Sequence, residues 1–132
     1  MQGDFVAFLD ADDVWAQGKL SAQVAHLLDC TSQLPPGSRS PVRAQVMRLA
    51  VVLLYTAGLR RGELVRLTLG DVDAQAGVLR IRESKFHKSR WVPLSTSARA
   101  ELQDYLVARR QAGLDERPTA PLLCTAGTRA YT

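Results

Sequence analysis

The segment from Pro41 to Leu67 constrains this chain most, because an apolar run of helical length ends in a glycine and is followed at once by Arg60, Arg61 and Glu63. Pro41 to Tyr55 has the length and apolar density of a buried helix. Ser40 supplies an N-cap hydroxyl, and Pro41 fits a first helical position whose N–H is not needed. Gly58 is the expected stop, since glycine closes a helix in the left-handed conformation at little steric cost and projects Leu59 and Arg60 from a fixed point. Glu63 to Leu67 then reads as a short second helix, with Leu64 and Leu67 facing inward and Glu63 within reach of Arg60 or Arg61.

The rest of the chain is taken up by shorter elements. Gly3 to Leu9 reads as a short buried strand ending in Asp10, Asp12 and Asp13, and Val24, Leu27 and Leu28 mark an amphipathic helix from about Ala22 to Cys30. His26 lies beside that stripe with no second ligand at metal spacing. Pro35-Pro36-Gly37-Ser38 breaks the chain into a loop. Val78 to Glu83 and Arg90 to Leu94 read as two strands of a hairpin whose connection, Ser84 to Ser89, carries Lys85, His87 and Lys88. Ser95 or Thr96 caps a helix from about Ser97 to Gln111. Its inward stripe is Leu102, Tyr105 and Leu106, with Arg99, Arg109 and Arg110 expected in solvent. Gly113 ends it, and Leu122 to Thr125 reads as a third short strand.

Charge divides the chain unevenly. Residues 1 to 30 hold five aspartates against Lys19 alone, a net of −4, so the overall +4 leaves +8 for the remainder. A basic segment of that size points to a polyanion, because lysines and arginines that neutralise phosphates release counterions. Cys30 and Cys124 form neither a Cys-x-x-Cys pair nor a disulfide framework, so both are expected as thiols of a cytoplasmic protein. Neither a signal peptide nor a membrane-spanning segment is expected.

The residues Leu53-Leu54-Tyr55-Thr56-Ala57-Gly58-Leu59-Arg60-Arg61-Gly62-Glu63-Leu64 resemble the first catalytic-arginine box of the tyrosine recombinases, the phage-integrase family. Gly77 to Ile81 and Trp91 to Leu94, joined through Lys85 and Lys88, resemble that family's β-hairpin with its catalytic lysine in the turn. The resemblance covers about residues 22–132. It implies an α+β, mainly helical fold, a truncated tyrosine-recombinase catalytic domain with a small three-stranded antiparallel sheet.

The activity it implies is site-specific DNA recombination or integration, by a tyrosine that attacks a phosphodiester without metal or nucleotide cofactor. Double-stranded DNA, together with other recombinase subunits, is the implied partner. Arg60 matches the first arginine, which donates to the phosphate as charge develops. Lys85 matches the hairpin lysine, with Lys88 as the alternative because Ser84-Lys85-Phe86 departs from the family's Gly-Lys-Gly. Glu63 is expected to orient the arginine turn, and Arg61, His87, Lys88 and Arg90 to meet the DNA backbone. The His-x-x-Arg box and the nucleophilic tyrosine are expected beyond the third strand, and Tyr131 lacks the nucleophile's context. The chain is therefore expected to be an incomplete fragment.

Residues 1–27 are similar to the Asp-x-Asp segment of family 2 glycosyltransferases, in which Asp10 and Asp12 would meet a divalent cation and a sugar-nucleotide diphosphate. We expect residues 1–21 to be a leader without independent fold. Two further readings stand beside recombination: a DNA-binding module without catalysis, and a metal-dependent glycosyltransferase fragment.

Overall fold

A computed structural model describes residues 18–35, 40–82 and 89–124. Helix α1 spans Lys19–Ser32, α2 Arg43–Thr56, α3 Arg61–Arg66 and α4 Thr96–Gln111, while strands β1 (Val72–Asp73), β2 (Val78–Ile81) and β3 (Arg90–Pro93) lie between α3 and α4. The strands form one antiparallel sheet in the order β1-β2-β3, with Leu79 opposite Val72 on one side and Val92 on the other. The mainly helical architecture with a small three-stranded sheet is the one the sequence implies. Residues 1–17 of the expected leader, with Asp10 and Asp12, lie outside the described residues, while Lys19 to Ser21 already belong to α1.

Helix α2 is the centre of the packing, with α1 and α4 against it. Val46, Leu49, Val52 and Leu53 recur at helical spacing and are buried, and they meet Leu102 and Tyr105 of α4 and Leu79 and Ile81 of β2 in one core. Where α2 and α4 leave the core, Arg48 and Glu101 close a forked ion pair, Nε to Oε2 at 2.7 Å and Nη2 to Oε1 at 2.6 Å.

Several boundaries differ from the sequence reading, each for a local reason. Ser40 does not cap α2 with its side chain. The helix begins two residues later behind Val42, and Ser40 contributes its carbonyl to the N–H of Arg43 at 3.2 Å. The third strand is Val72–Asp73, and Leu122 to Cys124, the described part of the expected strand, lies outside the sheet. Pro121 instead forms an isolated bridge with Thr68, and the N–H of Leu122 donates to the Leu67 carbonyl at 2.8 Å, so the apolar run at 122–124 is buried as a single pass.

Arg109 does not face solvent. It is 1% exposed, on the same stripe of α4 as Leu102 and Tyr105. The cap at the other end of α4 follows expectation, with the Ser95 hydroxyl accepting from the N–H of Ala98 at 3.2 Å.

Candidate nucleic-acid interface

The end of α2 sets the geometry of the arginine turn. The N–H of Ala57 still donates to Leu53 at 3.2 Å, and Gly58 then takes φ 61°, the left-handed conformation that reverses the chain. Leu59 turns inward and is buried. Arg60 stands next to it in extended backbone, as the N-cap of α3, with its side chain 62% exposed. Its carbonyl accepts from the N–H groups of Glu63 and Leu64, both at 3.0 Å, so the guanidinium projects from a backbone held on both sides.

Glu63 is the pivot of the turn. Its Oε2 accepts the N–H of Arg60 at 2.9 Å, which satisfies a donor that the helix start leaves open. The same carboxylate receives a fork from Arg90, the first residue of β3: Nη1 to Oε1 at 2.8 Å and Nη2 to Oε2 at 3.0 Å. A bidentate guanidinium–carboxylate pair is the strong form of this interaction. Glu63 therefore ties the turn after α2 to the strand on which the hairpin returns, across 27 residues of sequence. Sequence spacing puts Glu63 within reach of Arg60 or Arg61; the fold keeps Arg60 beside it, with Nη1 3.9 Å from Oε1, and adds Arg90 as the forked partner.

This pairing gives stability a dependence on pH. Hydrogen bonds from Arg90 hold the Glu63 carboxyl below its ordinary value of 4.5, with a further hydrogen bond from the Arg60 backbone and the charges of both arginines adding to the effect. A carboxyl whose folded value is depressed contributes stability above its unfolded value and loses it as pH falls through the folded one. The thermal midpoint should therefore drop as the medium is acidified below about pH 4.5. In Glu63→Gln that drop should be smaller, which parallel melts at pH 7, 5, 4 and 3 will measure.

A groove of about 300 Å³ runs past the same helix, lined by Arg66, Leu67, Thr68, Asp71, Arg80 and Arg82. Buried Asp71 holds Thr68 through its N–H at 3.1 Å and its hydroxyl at 2.9 Å, and it accepts from Arg82 Nε at 2.5 Å. Arg80 stacks over Trp91 of β3, 5.9 Å from the ring centroid, on the sheet face away from the core. Trp91 is 63% exposed there. The sequence reading passed over Arg66, Arg80, Arg82 and Trp91. Alternation along β2 was the available signal, since it puts residues 80 and 82 on one face, directly across from residue 91.

Of the residues singled out in the sequence, the structure joins Arg60, Glu63 and Arg90, and leaves Arg61 exposed on the first turn of α3. Lys85, His87 and Lys88 lie outside the described residues. Among those described, no group of three or more His, Cys, Asp or Glu side chains is placed to hold a metal ion, and no helix is long and apolar enough to cross a membrane. Exposed arginines held by the buried carboxylates of Glu63 and Asp71, with Arg80 over an exposed aromatic ring, make a surface suited to an extended polyanion.

Comparison with known proteins gives this surface a lineage. The model of the phage integrase family matches residues 20–123. The putative integrase/recombinase y4rE of Sinorhizobium fredii (strain NBRC 101917 / NGR234) is 37% identical over 108 residues, 82% of this chain and 34% of that protein. The tyrosine recombinase XerA of Thermococcus kodakarensis is 44% identical over 62 residues, 47% of this chain and 22% of its own.

Among solved structures, that of XerA recombinase superposes over 99% of this chain and 39% of its own, with a TM-score of 0.64 and 21% identity. XerH site-specific recombinase, bound to palindromic difH substrate in a post-cleavage complex, superposes over 84% of this chain and 30% of its own at a TM-score of 0.57 and 21% identity. The chain spans between 34% and 54% of the length of the three curated relatives y4rE, y4gA and y4rB. Its fold is that of the XerA and XerH recombinases in outline, and the family model matches residues 20–123, so the chain belongs to the phage integrase family of tyrosine recombinases.

Proposed function

We propose that this chain binds duplex DNA and supplies the first-arginine part of a tyrosine-recombinase cleavage site. Arg60 donates from its guanidinium to the non-bridging oxygens of one phosphodiester. In that reaction a tyrosine attacks the phosphorus, the 5′ oxygen leaves with a proton, and negative charge grows on the non-bridging oxygens. A planar fork held in place before the charge appears stabilises it without reorganisation. Lys85 is the donor of the proton to the leaving oxygen, with Lys88 as its alternative, and Arg61 and His87 contact the backbone nearby. Other recombinase subunits complete the assembly.

The observation that carries this reading is the presentation of Arg60. Its guanidinium is largely exposed, yet its backbone is pinned by Gly58 behind it and Glu63 ahead of it. Family membership, the groove lined by Arg66, Arg80 and Arg82, and the relative solved on a DNA substrate support the same reading.

Binding to a labelled duplex should weaken linearly on a log–log plot against salt. Arg60→Ala should lower that slope by about one, because one phosphate contact is lost, and Arg60→Ala with Lys85→Ala should lower it further. Wild-type binding that is indifferent to salt, or a double variant that binds as tightly as the parent, would defeat the reading. A nicked duplex that traps covalent protein–DNA adducts separates a cleaving protein from a binding module.

A further inference from the structure

The Glu63 carboxylate lies beside two guanidinium groups and accepts side-chain hydrogen bonds from only one of them. Arg90 takes both oxygens with a parallel fork at 2.8 and 3.0 Å. Arg60, three residues before Glu63 and at a spacing that ordinarily pairs, stands with Nη1 3.9 Å from Oε1, outside hydrogen-bonding distance. The Glu63 side chain is 3% exposed, so water cannot satisfy its charge, and a buried carboxylate must have a cation beside it. Among the described residues, Arg60 and Arg90 are the two cations within 4 Å of it.

We propose that Arg90 is the counter-charge that keeps Glu63 from capturing Arg60, so that the Arg60 guanidinium remains open to an incoming phosphodiester. Arg90 and Glu63 are then positioning residues of the phosphate site, and Arg90 is not itself a phosphate contact. This inference rests on the reading of Arg60 as the phosphate ligand. The division of charge on which it depends can nonetheless be measured without DNA. If Arg90 is replaced by a neutral side chain, Glu63 turns to the nearest remaining guanidinium and withdraws it from solvent. Removing the charge of Glu63 as well abolishes the reason for capture.

The first measurement is the rate at which phenylglyoxal modifies Arg60 in the intact chain at pH 8, followed by mass spectrometry of the peptide that contains it. Arg90→Gln should slow modification at Arg60 severalfold, and Glu63→Gln with Arg90→Gln should return it to the parent rate. Unchanged reactivity of Arg60 in Arg90→Gln overturns the proposal whatever the chain does with DNA. Should Arg90→Gln fail to fold, Glu63→Gln alone decides: Arg60 should react at least as fast as in the parent, and slower reaction would contradict the proposed competition.

The second measurement is the salt slope of duplex binding. Arg90→Gln should lower it by about one through loss of Arg60. Adding Arg60→Ala to that variant should lower it no further, and adding Glu63→Gln should restore it. A double variant Glu63→Gln/Arg90→Gln that stays about one short of the parent would make Arg90 a direct contact and overturn the proposal. A parent chain that binds no duplex would defeat the functional reading and leave the modification experiment to judge the charge-sharing.

Discussion

Arg109→Met is expected to lower the free energy of unfolding by about 3 kcal/mol, the size of loss that breaking a buried hydrogen-bond network gives. Arg109 is 1% exposed, and the two N–H groups of its Nη1 are shared among four acceptors: the Tyr105 hydroxyl at 3.1 Å, the carbonyls of Pro121 and Leu122 at 2.9 and 3.0 Å, and the Cys124 thiol at 3.0 Å. Its Nε and Nη2 both reach the Asp115 carbonyl. Methionine replaces the aliphatic stem and none of these donors. The Leu122 carbonyl keeps the Tyr105 hydroxyl as a partner, and that of Asp115 is half-buried, within reach of water. The Pro121 carbonyl is likewise on a half-buried residue, so its loss falls toward the lower end of the about 1–3 kcal/mol that an unpaired acceptor costs.

Relief of the desolvation that Arg109 itself suffers offsets part of the loss, which is why the expected value is not larger. Urea denaturation at neutral pH, with the slope unchanged and the midpoint lowered, is the measurement. A midpoint within error of the parent would mean that the packed stem, and not the hydrogen bonds, is what the site requires. Tyr105 belongs to the same hub: burial first, and the neighbouring thiol second, push its phenol up to about 12, so it stays protonated and able to donate to Leu122.

The second large effect is expected at Leu53, which is fully buried on α2. Leu53→Ala removes three side-chain carbons from the middle of the core and should destabilise the chain by about 2–5 kcal/mol, depending on how far the surroundings collapse. The upper half of that range is favoured, because α2 is held between α1 and α4 and can shift toward neither without opening the other interface. Leu54, one position on and half-buried, is the control: Leu54→Ala should cost clearly less under the same denaturation. Equal losses at the two positions would show that the helix moves to fill the void.

The sequence made some of this architecture legible and concealed other parts for identifiable physical reasons. Helical spacing in α2 and the glycine stop at residue 58 are local signals, and both appear in the structure as read. Residue 109 was also locally legible, because 102, 105 and 109 share one stripe of α4, but a charged side chain is ordinarily assigned to water. Its burial depends on the carbonyls of residues 115, 121 and 122, which only the return of the chain brings there.

The two-residue strand β1 was too short to show alternation. The apolar run at 122–124 carried a strand's composition but lies outside the sheet. At the candidate site the same division holds. The turn that presents Arg60 is written in consecutive residues, whereas the partner of Glu63 comes from 27 positions away and could not be chosen from spacing alone.

The ion pair between Arg48 and Glu101 has a mechanical meaning beyond its modest energy. It grips α2 in its second turn, on the side of α4, while the arginine turn leaves from the C-terminal end of the same rod. A stiff rod held partway along its length carries any roll about its axis to whatever hangs from its end. Arg60 hangs from that rod a dozen residues on, so the brace bears on the turn only through α2 itself.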